Sequence, residues 1–277
     1  MKNILIPYDF SETAINALNY TKALFKDTPI CIYLLDVYIS QKGYLLSEEK
    51  SENWFNEMDN EIEEESKYLI NILNKENKGF KYHFIINSTS LSKAVSNVVN
   101  DKKIDLIICG TKGAKSVSET FIGTNTIKII NTINNCPILI VPTLYRYKPL
   151  TQILFSTNYN RPFKKEELKL LIQLSILKNC PIQVVNLSEE YTLSSKQQTH
   201  KVLLREILKD LKVEYKKLDW SQSETTTLEN HIEKTVNEEL LVLINHKHNF
   251  FNRLLQENVI KKTAFHSKIP FLILPEL

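Results

Sequence analysis

Three short apolar segments from the first half of the chain recur, in the same order, in its second half. Residues 4–11 are matched by 153–160, residues 29–37 by 181–187, and residues 136–142 by 269–275. Each segment contains a run of branched aliphatic residues, which is typical of a strand buried on both faces. Three matches in one order are hard to obtain by chance. The sequence therefore predicts two copies of one unit, joined near residues 145–150.

Within the first copy, segments with strand and helix patterns alternate. A first strand over 3–8 precedes Ser11, a residue suited to capping a helix. The apolar positions that follow recur every three or four residues, as on one face of a helix: Ala14, Ala17, Leu18, Thr21, Leu24 and Phe25. Further strands are predicted at 30–38, 80–86, 104–109 and 137–141, helices at 54–77, 90–102 and 124–134, and a loop at 39–53. This alternation predicts an α/β fold in which each copy is a doubly wound, five-stranded parallel sheet with helices on both faces.

Glycine is concentrated in one window of this glycine-poor chain. Only five of its 277 residues are glycine, and three of them, Gly110, Gly113 and Gly123, follow the fourth predicted strand. A strand, a glycine turn and a helix start direct backbone N–H groups and the positive end of a helix dipole at one place, which suits a phosphate. The same glycines would also suit a tight turn and a helix cap, and spacing alone leaves both interpretations open. The spacing matches neither a Walker loop nor the Gly-x-Gly-x-x-Gly motif of dinucleotide-binding proteins.

The composition narrows the class of protein. A net charge of +3 is too small to indicate nucleic acid as a partner. The N-terminus lacks an apolar core of signal-peptide length, and no stretch approaches the roughly 18 apolar residues of a membrane span. The four cysteines lack metal-ligand spacing, and three lie in or beside apolar runs, so buried reduced thiols are expected. We therefore expect a soluble cytoplasmic protein with neither a nucleic-acid nor a membrane partner.

Other polar clusters carry weaker signals. His246 and His248, together with His266, lack a carboxylate or cysteine that would complete a metal site, so no bound metal is expected. The basic stretch around Lys261 and Lys262 lacks interleaved aromatic residues and is better explained as a solvated helix face. The sequence contains no nucleophile elbow and no general base aligned with the glycine window. No catalytic residue is predicted, which argues against an efficient hydrolase or kinase.

Taken together, these features resemble the universal stress protein family. The resemblance rests on Asp9-Phe10-Ser11 after the first strand, on the glycine spacing that ends at Gly123-Thr124-Asn125, and on the closing segment 136–142. It covers nearly all of the first copy, and the chain looks like a tandem member with domains at 1–146 and 150–277. The family implies the strand order 3-2-1-4-5 in each domain and pairing of the two domains through their fifth strands. A further homodimer of tandem chains is possible.

The glycine signature marks the ATP-binding members of the family. The resemblance therefore implies ATP, with magnesium as its counter-ion, as the ligand of the first domain. Asp9 would bind the ribose or the adenine edge, and Val37 would lie against the base. The phosphates would meet the residues of the glycine window, namely Gly110, Gly113, Gly123, Thr124 and Asn125, and Lys112 would either add charge there or simply be solvated.

The resulting hypothesis is a cytoplasmic stress-response protein that uses ATP occupancy as a regulatory switch and is not an efficient catalyst. This hypothesis is compatible with slow ATP hydrolysis or self-phosphorylation. The main alternative is a protein-interaction module that works without nucleotide and carries a vestigial glycine loop. A weaker alternative is an enzyme that transfers an adenylyl or phosphoryl group.

The second copy departs from the glycine pattern. Aligning 240–243 with 106–109 puts Ile244, Lys247 and Glu257 at the positions of the three glycines. In addition, Asn158 replaces Asp9 and Asn258 replaces Thr124. Side chains would fill the space that phosphates need, and a glutamate would repel them at the start of the helix. We therefore expect the second domain not to bind ATP in this manner and to act as a permanent partner of the first.

Overall fold

The computed structural model describes residues 2–37, 63–76, 79–111, 123–187, 192–234, 240–245 and 269–277. Within these ranges the first half of the chain contains strands β1 (Asn3–Pro7), β2 (Ile30–Val37), β3 (Phe80–Asn87), β4 (Leu106–Gly110) and β5 (Ile138–Val141). Its helices are α1 (Glu12–Leu24), α2 (described over 63–76), α3 (Leu91–Asp101) and α4 (Thr124–Thr132). The predicted loop at 39–53 lies outside the described residues, and the described part of the helix predicted at 54–77 is helical.

The second half repeats this alternation. Its strands are β6 (Ile153–Thr157), β7 (Ile182–Asn186), β8 (Val213–Lys217), β9 (Leu240–Asn245) and β10 (Phe271–Pro275). Its described helices are α5 (Lys169–Lys178), α6 (Ser195–Ile207) and α7 (Glu224–Lys234). None of the described helices combines the length and apolar character that spanning a bilayer requires.

All ten strands belong to one sheet with the order β3-β2-β1-β4-β5-β10-β9-β6-β7-β8. Each half has the order 3-2-1-4-5 and is parallel throughout, which confirms the predicted fold class. The two halves are joined where β5 pairs with β10, and this is the only antiparallel pairing among the described strands. The halves therefore share one continuous sheet rather than two separate ones.

Backbone geometry agrees with the repeat found in the sequence. Ile4 pairs with Leu106, and the matching residue Ile153 pairs with Leu240. Phe10 and its counterpart Tyr159 both have a positive φ, at 57° and 56°, which is uncommon for an aromatic residue. The turn after the first strand of each half therefore has the same backbone geometry at this residue.

The turn after β1 leads into α1, whose start and buried face follow the sequence signals. Ser11 caps the helix by accepting a hydrogen bond from the backbone N–H of Ala14 at 3.3 Å. Every position predicted for its apolar face, from Ala14 to Phe25, is buried. Along β1, Ile4 and Ile6 pack into the core on one face of the sheet and Leu5 packs into the core on the other. Burial on both faces explains why the strands read as continuous apolar runs.

Candidate functional site

A cavity of about 250 Å³ lies where the carboxyl ends of β1, β2 and β4 meet the start of α4. Six predicted site residues line it: Asp9, Val37, Gly110, Gly123, Thr124 and Asn125. The other two, Lys112 and Gly113, lie outside the described residues. The cavity is somewhat smaller than the roughly 300–1,000 Å³ of common ligand sites. It lies at the carboxyl edge beside the topological switch, where open α/β sheets bind ligands.

Asp9 is held in the turn that links β1 to α1. Its Oδ1 accepts hydrogen bonds from the backbone N–H of Ser11 at 3.2 Å and from the Ser11 hydroxyl at 2.5 Å. The same hydroxyl oxygen accepts the N–H of Ala14 and so caps α1. One side-chain oxygen of Asp9 is therefore used to fix the loop, although Asp9 itself is exposed at the cavity.

The opposite end of the cavity is formed by β4 and α4. The Thr126 hydroxyl donates to the carbonyl oxygen of Gly110 at 3.0 Å and ties the first turn of α4 to the end of β4. Gly123 occupies the N-cap position and offers no side-chain acceptor, and the first turn contains no acidic residue. Uncapped N–H groups at a helix start, together with the positive end of the helix dipole, favour an anion at this end.

Burial and charge shift the ionisation of several groups in the cavity wall. Burial, together with the nearby charge of Asp9, raises the pKa of Asp36 above its usual range. The pKa of Tyr8 is raised by the same two causes, of which burial is the larger. Complete burial raises the pKa of the Cys109 thiol to about 12, so this thiol is protonated at neutral pH. The cavity therefore has a carboxylate-bearing end at β1 and β2 and an anion-favouring end at α4.

Asp36 was not among the residues predicted from the sequence. It follows Leu35 at the end of β2, and Leu35 pairs with Pro7 of β1, so Asp36 and Asp9 come from neighbouring strand ends. The sequence signal that could have found it is a carboxylate directly before Val37 at the carboxyl end of a buried strand. Other lining residues that the sequence did not indicate include Tyr8, Ser11, Thr13, Leu91 and Thr126.

The second half is built differently at the corresponding place. Ile244 is buried at the end of β9, where β4 has Gly110. Two side chains of α6 contact the loop after β6. Gln197 Nε2 donates to the carbonyl oxygen of Asn158 at 2.9 Å, and His200 Nδ1 lies 2.8 Å from the carbonyl oxygen of Tyr159. Tyr159 is buried, whereas Phe10 is only partly so. Lys247, Glu257 and Asn258 lie outside the described residues.

Potential metal ligands do not cluster in the described part of the chain. It contains no group of three or more His, Cys, Asp or Glu residues placed to hold a metal ion. The three histidines considered as metal ligands in the sequence, at 246, 248 and 266, lie outside the described residues, as does the basic stretch around 261–262.

Comparison with known proteins gives relatives for the first half and for the whole fold. A sequence model of the Universal stress protein family matches residues 1–142. Universal stress protein MJ0577 of Methanocaldococcus jannaschii is 31% identical over 153 residues, which cover 50% of this chain and 94% of that protein. The crystal structure of a universal stress protein from Archaeoglobus fulgidus aligns with 99% of this chain and 96% of its own, with a TM-score of 0.66 and 14% identity. A Pseudomonas aeruginosa protein of unknown function aligns with 99% and 92%, with a TM-score of 0.58 and 11% identity.

Proposed function

The chain belongs to the universal stress protein family, and on that premise we propose that its first half binds ATP and uses the occupancy as a regulatory switch. The observation that carries the proposal is the cavity. It gathers Asp9, Val37, Gly110 and the segment Gly123–Asn125 from four separate parts of the chain. The resemblance to the family assigns each of these residues to a nucleotide.

The two ends of the cavity also suit the two ends of a nucleotide. The start of α4 offers backbone donors and a positive dipole for phosphates. The carboxylates of Asp9 and Asp36 offer acceptors for a base or a sugar, which carry hydrogen-bond donors. Val37 and Leu91 add apolar wall for a base. In this proposal magnesium binds together with ATP, as its counter-ion.

A physical connection supports the switch. The start of α1 lines the cavity, and Asn16 in the same helix donates to the carbonyl oxygens of Pro142 and Tyr145 at 3.0 and 3.1 Å. Arg146 in turn donates to Asn16 Oδ1 at 2.7 Å. These residues belong to the segment that joins the two halves, so a shift of α1 on binding would reach it directly. In this proposal the second half is the permanent partner of the first, and the shift of α1 on ATP binding changes its conformation or its affinity for other proteins.

We further propose that the site does not turn ATP over efficiently. The titratable residues among its described lining are Tyr8, Asp9, Asp36 and Cys109. Asp9 and Asp36 lie at the opposite end of the cavity from the start of α4. Cys109 is held as a neutral thiol, and the raised pKa of Tyr8 keeps it protonated. A cytoplasmic location fits an ATP-dependent switch. A protein-interaction module that needs no nucleotide is the alternative that the experiment must separate from it.

The test is calorimetric titration of the full chain with ATP and magnesium, using a variant that adds a charge without harming the fold. Thr124 is exposed in the first turn of α4, where a glutamate is favourable for the helix but repels phosphate. We expect one site per chain with micromolar affinity, weakened at least about tenfold in Thr124→Glu. The control is Thr132→Glu, which makes the same charge change at the exposed far end of the same helix and should bind ATP like the wild type.

Each outcome decides a different point. Unchanged affinity in Thr124→Glu would contradict phosphate binding at α4. Absence of both heat and thermal stabilisation, in folded protein free of bound nucleotide, would favour the interaction module. Two sites per chain would show that the second half also binds ATP.

A further inference from the structure

Asp36 differs from Asp9 in how its carboxylate is used. Asp9 Oδ1 already accepts two hydrogen bonds from Ser11. Asp36 accepts a hydrogen bond from the adjacent N–H of Val37, and no described Lys, Arg or His forms an ion pair with it. An ionised carboxylate has about four acceptor positions, so Asp36 retains acceptor capacity at the cavity wall. A half-buried carboxylate in this state gains stability from any ligand that brings a donor to it.

The position of Asp36 in the sheet indicates which part of a nucleotide would reach it. Strand β1 lies between β2 and β4, so the end of β2 is two strand spacings, about 10 Å, from the end of β4. The anion-favouring start of α4 is tied to the end of β4 through Thr126 and Gly110. A nucleotide whose phosphates lie at α4 therefore extends its opposite end, the base, towards β2. The negative charges of Asp9 and Asp36 oppose the reverse orientation.

We propose that Asp36 determines base specificity by accepting a hydrogen bond from the exocyclic amine of adenine. This inference rests on the proposed function, because it assigns a role within the same site. A base with a keto oxygen in place of that amine puts an acceptor against a carboxylate, and a buried acceptor pair without a donor is unfavourable. Asp36 thus selects the 6-amino purine over the 6-oxo purine.

The second half of the chain shows that the fold accepts an amide at this position. Leu35 pairs with Pro7 in the first half, and Val185 pairs with Ser156 in the second, which makes Asn186 the counterpart of Asp36. Asn186 is buried at the end of a strand of the same sheet. Asp36→Asn is therefore a conservative test variant: it keeps the shape of the side chain, removes its charge and supplies a donor.

The experiment compares ATP, inosine triphosphate and 2′-deoxy-ATP by calorimetry on the full chain. Inosine triphosphate differs from ATP only in the base, and 2′-deoxy-ATP only in the sugar. We expect the wild type to bind ATP about 10- to 100-fold more tightly than inosine triphosphate, the range for a hydrogen bond to a charged group. In Asp36→Asn the preference should fall at least about tenfold, because the amide can donate to the keto oxygen. The ratio of ATP to 2′-deoxy-ATP affinity should not change.

Asp9→Asn is the matched control, since it removes one negative charge from the same cavity. It should change the affinities for ATP and inosine triphosphate by the same factor. If the wild type binds both nucleotides equally, or if Asp36→Asn alters only the discrimination against 2′-deoxy-ATP, the base assignment is overturned while ATP binding stands. If the wild type binds none of the three, the proposed function itself fails.

Discussion

Thr13 and Gly110 approach so closely that a β-carbon on Gly110 would lie 2.6 Å from the carbonyl oxygen of Thr13 and closer still to its Cγ2. No real β-carbon makes such a contact with backbone. Helix α1 can therefore begin beside the end of β4 only because residue 110 has no side chain. In the second half Ile244 occupies that position, and α5 begins only at Lys169, although Asn160 matches the cap residue Ser11.

We expect Gly110→Ala to destabilise the protein by about 1–3 kcal/mol, the usual cost of overpacking a close contact. The added methyl group must displace the backbone of Thr13 as well as its side chain. The free energy of unfolding in urea measures this cost. Ile244→Val is the comparison at the matching position, where a β-carbon is already accommodated, and should cost about 0.5–1.5 kcal/mol as an ordinary core truncation. A Gly110→Ala variant as stable as the wild type would show that α1 can move away freely.

The pairing of β5 with β10 predicts that the two halves unfold together. Ile138, Leu139 and Ile140 face Ile273, Leu272 and Phe271 across this seam, and all six side chains are almost fully buried. The core on each face of the sheet also includes residues from both halves. Unfolding one half would expose this shared surface, so a separately unfolded half is unfavourable.

Trp54→Phe leaves Trp220 as the single tryptophan and as a fluorescence reporter for the second half, whereas circular dichroism reports on both halves. We expect the urea midpoints from the two signals to agree in this variant. Phe271→Ala should lower the midpoint for both signals, with a loss of about 3–5 kcal/mol. Two transitions at different urea concentrations would mean that the seam does not couple the halves.

Much of the fold could be predicted from the sequence because its signals are local. The start of α1 follows from Ser11 as a cap and from the spacing of apolar residues between Ala14 and Phe25, and both are confirmed. The repeat could be found because equivalent strands keep similar apolar runs. The segment 29–37 is two residues longer than its match, 181–187. The strand register aligns 31–37 with 181–187, so the two additional residues are 29 and 30, where β2 begins.

The parts that were missed depend on contacts between distant segments. The nearness of Asp36 to Asp9 requires the register of β1 against β2, and the need for glycine at 110 requires the path of α1. The sequence offered Gly110 as a phosphate ligand, whereas the structure gives it a packing role as well. The nucleotide roles of the residues that line the cavity stay predictions.

Glu167 is a buried carboxylate that holds the end of the described chain in place. Both of its oxygens lie 3.0 Å from Arg161 Nη1, and it also accepts the backbone N–H groups of Lys164 and Leu277 at 3.0 and 2.9 Å. Its side chain is completely inaccessible to solvent. In Glu167→Gln, Arg161 keeps a longer ion pair, 3.7 Å from its Nε to Glu276 Oε1, but the buried charged acceptor is lost. The variant should therefore cost about 1.5–3 kcal/mol in urea unfolding, the range for hydrogen bonds to a charged group.

An exposed ion pair provides the control for Glu167→Gln. Glu206 Oε1 lies 2.6 Å from Lys209 Nζ, and both side chains are more than half exposed. Because exposed ion pairs contribute little, Glu206→Gln should leave the free energy of unfolding unchanged. Hydrogen exchange offers a second measurement, in which the amide of Leu277 loses protection in Glu167→Gln and keeps it in Glu206→Gln. Equal stability of the two variants would mean that the contacts around Glu167 contribute little.

The four cysteines should differ sharply in reactivity. Burial raises the pKa of Cys109 and Cys136 to about 12 and that of Cys180 to about 11, whereas Cys31 is partly exposed. At pH 8 a thiol with a pKa of 11 is about 0.1% thiolate, the reactive form, and access is blocked as well. We expect a disulfide reagent to modify one thiol in the native chain and four in urea, with the fast reaction lost in Cys31→Ser.

The same three buried thiols predict a loss of stability at alkaline pH. In the unfolded chain they ionise near pH 8.5, but in the folded chain they hold their protons until about pH 11–12. Their contribution to the free energy of unfolding is therefore fully present below about pH 8.5 and decreases as the pH rises, since only the unfolded state then releases protons. Urea unfolding between pH 7 and 10 measures the slope, and Cys109→Ala and Cys136→Ala should each reduce it, whereas Cys31→Ser should affect it less. A slope that is the same in all three variants would contradict the assignment of this pH dependence to the buried thiols.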